Sequence, residues 1–427
     1  MTKRIIMLAL SLCLLSLPSL WSGGQPEKKT EAVSTALTGK AEIFSWWTAG
    51  GEAEGLNALI TQFNSMYPDV QVINATVAGG AGTNAKAVLK TRVLGGDPPD
   101  SFQVHAGHEL IDTWVKTNYM ESLTFIYKEE GWEKVMPKGI LDIVTYNNDY
   151  WSVPVNIHRA NVLWYSKPVF QKYGLKPPKT FDDFFKLCED LKAKGIVPVV
   201  MGTKDGWEAG HVFEAFLIGT LSAEGYAGLW TGKTKWSDPN VKKALELFKK
   251  MLDYLNTDHS ALTWDEAGQY LIQGKGAMLI MGDWTNGWFM SKNYNDYGWA
   301  LPPQNEGIFD ALSDSFGLPK GSKNRNQVIA WLKVLGSKKG QEAFNKLKGS
   351  IPARTDVDKS QFNPYLQSCM DDWNNHKIVP SVIHGAAASE GWATEYKDTL
   401  SLFVSRKDVE KTQAALVAVA QNAGVSQ

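Results

Sequence analysis

The stretch AEIFSWWTAGGEAEGLNALITQFNSMYPDVQVINATV, residues 41–77, contains the pattern that decides the fold. A β-rich run ends in the double tryptophan Trp46–Trp47, and a second β-rich run, VQVINATV, closes the stretch. Between the two runs, apolar residues recur at the 3.6-residue period of one helical face. Strand, helix and strand joined by short turns predict a βαβ unit, which is the building block of parallel sheets.

The following residues repeat this alternation. NAKAVLKTRVLGG, DPPDSFQVH and HELIDTWVKTN predict a helix, a strand and a helix. Residues 149–166 are β-rich, and the longer helical patterns after them indicate a second lobe, to which the strand-like runs AMLIMGDW and GWALPP belong. Strand and helix patterns return at SDSFGLPKG. We expect an α/β protein in which ligands bind beyond the carboxyl ends of the strands, where Trp46, Trp47 and Gln103 lie.

Composition limits the classes of partner. The chain has 427 residues, of which 44% are hydrophobic, so it can form two lobes or domains. Its 44 Lys and Arg against 45 Asp and Glu leave a formal net charge of -1, which does not favour binding to nucleic acid or to anionic lipid. The 17 tryptophans are unusual and suggest stacking surfaces.

The amino terminus has the pattern of an export signal. A basic pair precedes an apolar run at residues 5–17, which is short for a membrane span, and cleavage after Gly24 fits the small-residue rule. An uncleaved anchor is the alternative. Residues 25–39 are polar and predict a flexible lead-in. Because this lead-in resembles a tether, lipid attachment through Cys13 is a further, less favoured alternative to a periplasmic protein.

Two cysteines remain after the predicted cleavage. Cys188 and Cys369 each share a helical face with aromatic and aliphatic residues, so both are expected to be small core residues. An exported protein permits a disulfide between them, and the sequence leaves that pairing open.

Motifs for catalysis or cofactors are weak. His105 and His108 lack zinc spacing, and no P-loop or nucleophile elbow occurs, so we expect neither a metal nor a cofactor. The run GAGTNA imitates a dinucleotide-binding turn but follows the second strand, which favours a glycine-rich turn that begins a helix. The enzyme alternative is a secreted glycoside hydrolase, which needs only two carboxylates across a cleft; Asp283 and Glu52 are candidates.

Eight motifs in chain order carry a family resemblance over residues 40–427: WWTAGGEAEGL, AVLKTRVLGGDPPD, FQVHAGHEL, VPVNIHRANVLWYS, GAMLIMGDW, LSDSFGLPKG, LKGSIPARTD and PSVIHGAAAS. The chain resembles the extracytoplasmic solute-binding proteins of ABC sugar importers, in particular the glucose/galactose-type members of the maltose-binding-protein-like group. The resemblance implies a type II periplasmic-binding fold that closes on a monosaccharide, such as glucose or another hexose, and delivers it to a permease. It implies a monomer without enzymatic activity.

The resemblance also implies lobe boundaries and site residues. Residues 40–152 and 314–350 would form the N-terminal lobe, and residues 153–313 and 351–427 the C-terminal lobe. The implied sugar-binding residues are Trp46, Trp47, Glu52, Lys90, Gln103, Trp264, Trp284, Asp314, Lys348 and His384. Aromatic rings stack on the apolar faces of a hexose, while charged and amide groups bind its hydroxyls. His158 is typical of the family too, and we expect it to have a structural role.

Overall fold

A computed structural model describes residues 37–427. The predicted signal peptide, residues 1–24, Cys13 and nearly all of the lead-in lie outside the described residues. Gly39, the last residue of the predicted lead-in, is the first residue of a strand. Between residues 37 and 427, no helix is both long and apolar enough to cross a membrane.

The strands are mostly short. In chain order they are β1 (Gly39–Ser45), β2 (Val70–Thr76), β3 (Ser101–His105), β4 (Thr145–Tyr146), β5 (Asp149–Tyr150), β6 (Ser152–Pro154), β7 (His158–Arg159), β8 (Leu163–Ser166), β9 (Val197–Val199), β10 (Gly276–Ile280), β11 (Tyr297–Ala300), β12 (Ile308–Leu312), β13 (Asp314–Gly317) and β14 (Lys377–Pro380).

The helices cover these sheets. They are α1 (Gly50–Met66), α2 (Thr83–Leu94), α3 (His108–Leu110), α4 (Thr124–Glu130), α5 (Lys138–Ile143), α6 (Lys167–Tyr173), α7 (Phe181–Lys192), α8 (Trp207–Leu229), α9 (Pro239–Met251), α10 (Trp264–Ile272), α11 (Trp284–Ser291), α12 (Arg325–Gly336), α13 (Lys338–Lys348), α14 (Pro364–Asn375), α15 (Glu390–Arg406) and α16 (Val409–Asn422). A kink at Ser222 interrupts α8. The predicted helix in HELIDTWVKTN is the short α3 followed by one π-helical turn, Ile111–Val115.

The predicted βαβ unit is present. β1 pairs in parallel with β2 and with β3, and α1 connects the first two of these strands. The five-stranded sheet has the order β2-β1-β3-β13-β6, so a strand more than 200 residues further along the chain pairs antiparallel with β3. Two smaller sheets, β11-β8-β10-β9 and β14-β12-β7, belong to the other half of the protein. β3, β10 and β12 are buried along their whole length, as strands covered on both faces are.

Two hydrophobic clusters form the core of residues 37–427. The first cluster contains residues from 41–155 and 316–344, and the second contains Ile140 with residues from 157–312 and 351–420. The chain therefore passes between the clusters near residues 156, 314 and 350. The fold is α/β with two lobes, as the sequence predicts.

The cysteines are core residues, as expected from their helical faces. In α7, Phe184, Phe185 and Cys188 are buried, and a capping box formed by Thr180 begins the helix. Cys369 is buried in α14. Both thiols are free, so no disulfide joins them.

Candidate functional site

A cavity between the two hydrophobic clusters contains most of the predicted site residues. Eight of the ten line it: Trp46, Trp47, Glu52, Trp264, Trp284, Asp314, Lys348 and His384. They come from separate segments of the chain, and strand ends and helix ends supply most of them. This arrangement follows from the fold, because the carboxyl ends of β1 and β3 face the gap between the lobes.

Three tryptophans form aromatic walls of the cavity. Trp46 follows β1, and its ring centroid lies 5.0 Å from that of His105. Across the cavity, Trp284 begins α11 and Trp207 begins α8, with ring centroids 6.1 Å apart. Gly80, the first residue of a short 3-10 turn, approaches Trp207 so closely that a Cβ atom there would lie 2.6 Å from the indole nitrogen. Glycine at this position therefore lets the first lobe reach the second.

Trp47 has two roles in the structure. Its ring packs against Phe316 and Phe344, with centroids 5.5 and 4.8 Å away, and only 1% of the residue is exposed. The same residue lines the cavity, and the ammonium group of Lys348 lies 5.7 Å from its ring centroid. Most of this indole belongs to the core of the first lobe, and one part faces the cavity.

Lys348 supplies a positive charge at the last residue of α13. Its side chain is 2% exposed, and its Nζ donates a hydrogen bond of 2.7 Å to Glu52 Oε1 in the first turn of α1. The ammonium group also lies 6.0 Å from the ring centroid of Trp284. A buried ammonium group with one carboxylate partner retains further donor capacity for a ligand oxygen.

Asp314 is held by two amide side chains. Gln103 Nε2 donates to Asp314 Oδ1 and Asn156 Nδ2 donates to Oδ2, each at 2.8 Å. The other end of Gln103 accepts the backbone N–H of Trp46 at 3.2 Å. Gln103 is therefore behind the cavity wall, where it connects the carboxylate of β13 to the tryptophan that follows β1.

The charge on Asp314 is stabilised by neighbouring basic groups. Burial alone would raise its pKa, but the hydrogen bond and charge of His158, together with Lys348 and His105, hold the pKa well below its usual range. His158 Nε2 lies 3.2 Å from Asp314 Oδ2. Asp314 is therefore a fixed carboxylate that accepts hydrogen bonds and does not supply a proton.

His158 links this carboxylate to a second one. Its Nδ1 forms a short contact with Asp283, which also accepts the backbone N–H of Arg159 at 2.9 Å. Burial lowers the pKa of His158, but the charge and hydrogen bond of Asp283, together with the hydrogen bond to Asp314, raise it above the ordinary value. His158 has the structural role expected from the sequence, and it also lines the cavity. The Asp283 side chain does not cap α11.

Two indole N–H groups of residues that line the cavity lack protein partners. Within residues 37–427, Trp47 Nε1 and Trp207 Nε1 are buried without a hydrogen bond. A buried polar group without a partner costs about 1–3 kcal/mol. A ligand with oxygen atoms at these positions would recover that free energy.

The inner cavity is narrow. It encloses about 370 Å³ of empty space including its mouth, but only about 30 Å³ of it admits the centre of a water molecule. The inner cavity adjoins a second cavity, in which about 360 Å³ admits the centre of a water molecule. The two cavities share Trp46, Trp264 and Trp284. In this state the inner cavity is therefore too narrow for a sugar ring.

The structure does not bring Lys90 to this cavity. Its ammonium group bonds Glu390 Oε1 at 2.7 Å, and Thr113 donates to the other carboxylate oxygen at 3.2 Å. This position borders a different cavity, which lies on the far side of Trp207. Lys90 is on the face of α2 that meets α15, and its salt bridge joins the two lobes.

The structure adds residues to the predicted set. His105, Trp207 and His158 line the cavity, while Asn156 and His211 hold residues that do. His105 stands two residues after Gln103, so strand alternation places both on the same face of β3 and gives a usable signal. No local pattern distinguishes Trp207 from the other tryptophans of the chain.

The site suits a neutral, polyhydroxylated ligand. Aromatic walls provide apolar contact, whereas Lys348, Asp314 and the unpartnered N–H groups provide charge-assisted and neutral hydrogen bonds. Three other buried carboxyls have raised pKa values because burial disfavours their charged forms: Glu208 (about 8), Glu214 (about 7) and Asp310. None of the three lines the cavity. The proton donor that a glycoside hydrolase needs is therefore not supplied by any of these groups.

Comparison with known proteins places the chain in a family. Residues 49–342 match the model of the bacterial extracellular solute-binding protein family. The chain belongs to this family. The solute-binding protein is 38% identical over 402 residues to an uncharacterized ABC transporter extracellular-binding protein of Pyrococcus horikoshii, and the alignment covers 92% of this chain and 90% of the relative.

Other matches agree with this family. The solute-binding protein is 28% identical to the xylose/arabinose-binding protein XacG of Haloferax volcanii, with 88% of this chain and 83% of the relative covered. Its fold is similar to that of the bacterial solute receptor AcbH, which prefers β-D-galactopyranose. That match has a TM-score of 0.80 at 19% identity and covers 90% of this chain and 99% of the other. The solute-binding protein is thus a member of the sugar-receptor family of ABC importers, which function outside the cytoplasm.

Proposed function

We propose that this solute-binding protein captures one monosaccharide, a hexose such as glucose, in the cavity between its lobes. The observation that carries the proposal is that Trp47 and Trp207, whose buried indole N–H groups have no partner, line the same cavity as Lys348 and Asp314. The relative XacG is named for two pentoses, which supports a ligand of monosaccharide size.

The proposed transport cycle uses closure of the two lobes. The lobes open at the three chain crossings near residues 156, 314 and 350, the sugar enters, and closure brings both tryptophan walls onto the ring. The closed monomer then docks on an ABC permease, to which it delivers the sugar in the periplasm. The nine proposed contact and support residues are the predicted set without Lys90, which instead contributes to closure through Glu390.

Isothermal titration tests the ligand class. The mature protein, residues 25–427, is titrated with hexoses, pentoses and di- to tetrasaccharides. We expect micromolar or tighter binding of one hexose, which corresponds to roughly −8 kcal/mol or better. Tight binding of an oligosaccharide without binding of any monosaccharide would refute the monosaccharide proposal and assign the adjoining cavity to further sugar rings.

Two further measurements test closure and the absence of catalysis. Small-angle scattering should give a smaller radius of gyration with the bound sugar than without it, and an unchanged radius would contradict a hinged receptor. Reducing ends are assayed after incubation with oligosaccharides. New reducing ends, abolished by Glu52→Gln, would instead support the glycoside hydrolase.

A further inference from the structure

The turn that follows β14 carries His384 into the cavity, and α8 packs directly behind this turn. The backbone N–H groups of Ile383 and Val382 donate to the two carboxylate oxygens of Glu214, at 2.9 and 3.3 Å. His211 lies three residues earlier on α8, on the same helical face, and its Nδ1 is 3.2 Å from His384 Nε2. One helix therefore holds both the backbone of the turn and the imidazole ring.

Both imidazole rings are neutral. His211 and His384 are 2% and 3% exposed. Burial lowers the pKa of His211 to about 3. Burial, together with the nearby His211, His105, Lys86 and His158, holds the pKa of His384 well below its usual range. In a hydrogen bond between two neutral imidazoles, one nitrogen donates and the other accepts, so the tautomer of one ring fixes that of the other.

The surroundings of His211 favour one of the two arrangements. His211 Nε2 is buried and has no hydrogen-bond partner within residues 37–427. If His211 Nδ1 accepted the bond, the single proton of that ring would be on Nε2, as a buried N–H without an acceptor. If Nδ1 donates, only a lone pair is left without a partner. Orphaned buried N–H groups are rarer in proteins than unsatisfied acceptors, so donation by His211 is favoured.

We propose that His211 is a positioning residue that sets the tautomer of His384, so that His384 presents its Nδ1–H as a hydrogen-bond donor to the ligand. His384 Nε2 accepts from His211, and Nδ1 is the remaining polar atom of a ring that lines the cavity. The ligand group that fits is an oxygen acceptor, and the inference that this oxygen belongs to a sugar rests on the proposed function. The site would then distinguish between ligands by whether they place an acceptor oxygen at His384 Nδ1.

The tautomer of His384 can be tested directly with the sugar-free mature protein, labelled with ¹⁵N-histidine. Two-bond ¹H–¹⁵N correlation spectra show which ring nitrogen carries the proton. The His384 signals are assigned by their loss in His384→Gln. We expect His384 to be protonated at Nδ1 and unprotonated at Nε2, and His211→Leu to increase the population protonated at Nε2. A wild-type His384 that carries its proton on Nε2, or a pattern unchanged in His211→Leu, would overturn the proposal.

Sugar titrations test the consequence for binding. His211→Leu should weaken binding by roughly 2- to 12-fold, the range of one neutral hydrogen bond. It should add no further loss in a His384→Gln background. The matched control is Phe213→Leu, which lies on the same helix but packs against Phe248 and Tyr396.

Outcomes of these titrations separate the two proposals. The control should leave both the His384 tautomer and the affinity unchanged, even if the melting temperature falls. Equal losses of affinity in His211→Leu and in the control would indicate a general packing effect and contradict the positioning role. If the wild-type protein binds no sugar, the proposed function fails, while the tautomer spectra still decide how His211 acts on His384.

Discussion

Substitution of Gly287 by alanine should hold the lobes apart. Gly287 is on α11 in the second lobe, and it packs against the backbone at the end of α13 in the first. A Cβ atom at Gly287 would lie 2.4 Å from the carbonyl oxygen of Lys348 and 2.6 Å from that of Leu347. Ordinary van der Waals contact begins near 3.4 Å, so the helices must separate by about 1 Å.

The cost of this separation falls on the closed form. Overpacking costs about 1–3 kcal/mol, and each 1.4 kcal/mol corresponds to a factor of ten in affinity. The affinity for sugar should therefore fall roughly 5- to 150-fold. The open form does not need the contact, so the sugar-free protein should keep its melting temperature and be, if anything, more open in scattering measurements.

The control for this substitution is Gly139→Ala. Gly139 also lies in a helix, and a Cβ atom there would meet nothing within 4 Å. This variant should bind sugar like the wild type. If Gly287→Ala binds sugar normally but unfolds at a lower temperature, the contact belongs to a permanent interior and not to a closing interface, and the reasoning is refuted.

The other predictions concern single side chains. Asp314→Asn keeps the shape but removes the charge, and it should weaken sugar binding by about 1.5–3 kcal/mol in calorimetry; unchanged affinity would make Asp314 a structural residue only. Trp46→Ala should weaken binding and cost less unfolding free energy than Trp47→Ala, which should lose about 3–5 kcal/mol because its ring packs against Phe316 and Phe344 in the core. In denaturant titrations, Glu214 should contribute a loss of stability as the pH rises from 4.5 to about 7, because burial raises its pKa to about 7 and the unfolded chain releases this proton first, whereas the buried His211 and His384 contribute in the opposite direction. Glu214→Gln should reduce this pH dependence, Glu224→Gln on the surface should not, and equal slopes in all three proteins would contradict the assignment.

The sequence determined the parts of the site that depend on short-range pattern. Period-3.6 and β-rich runs predicted α1 between β1 and β2, and they therefore put Trp46 and Trp47 at a strand end where ligands bind. The first turn of α1 then placed Glu52 nearby. The family resemblance supplied residues that no period reveals, such as Lys348 and His384, and both line the cavity.

Tertiary structure decided which of these side chains meet. The sequence around Lys90 would be the same whether its side chain faced a ligand or Glu390. The salt bridge forms because α2 packs against α15, and its two residues are 300 positions apart in the sequence. His211 and His384 are separated by 173 residues, so their hydrogen bond is encoded by no local spacing. Periodicity fixes which face of an element a residue occupies. Which other element covers that face depends on packing across the whole chain, and this packing decides the hydrogen-bond partners and pKa values of the site.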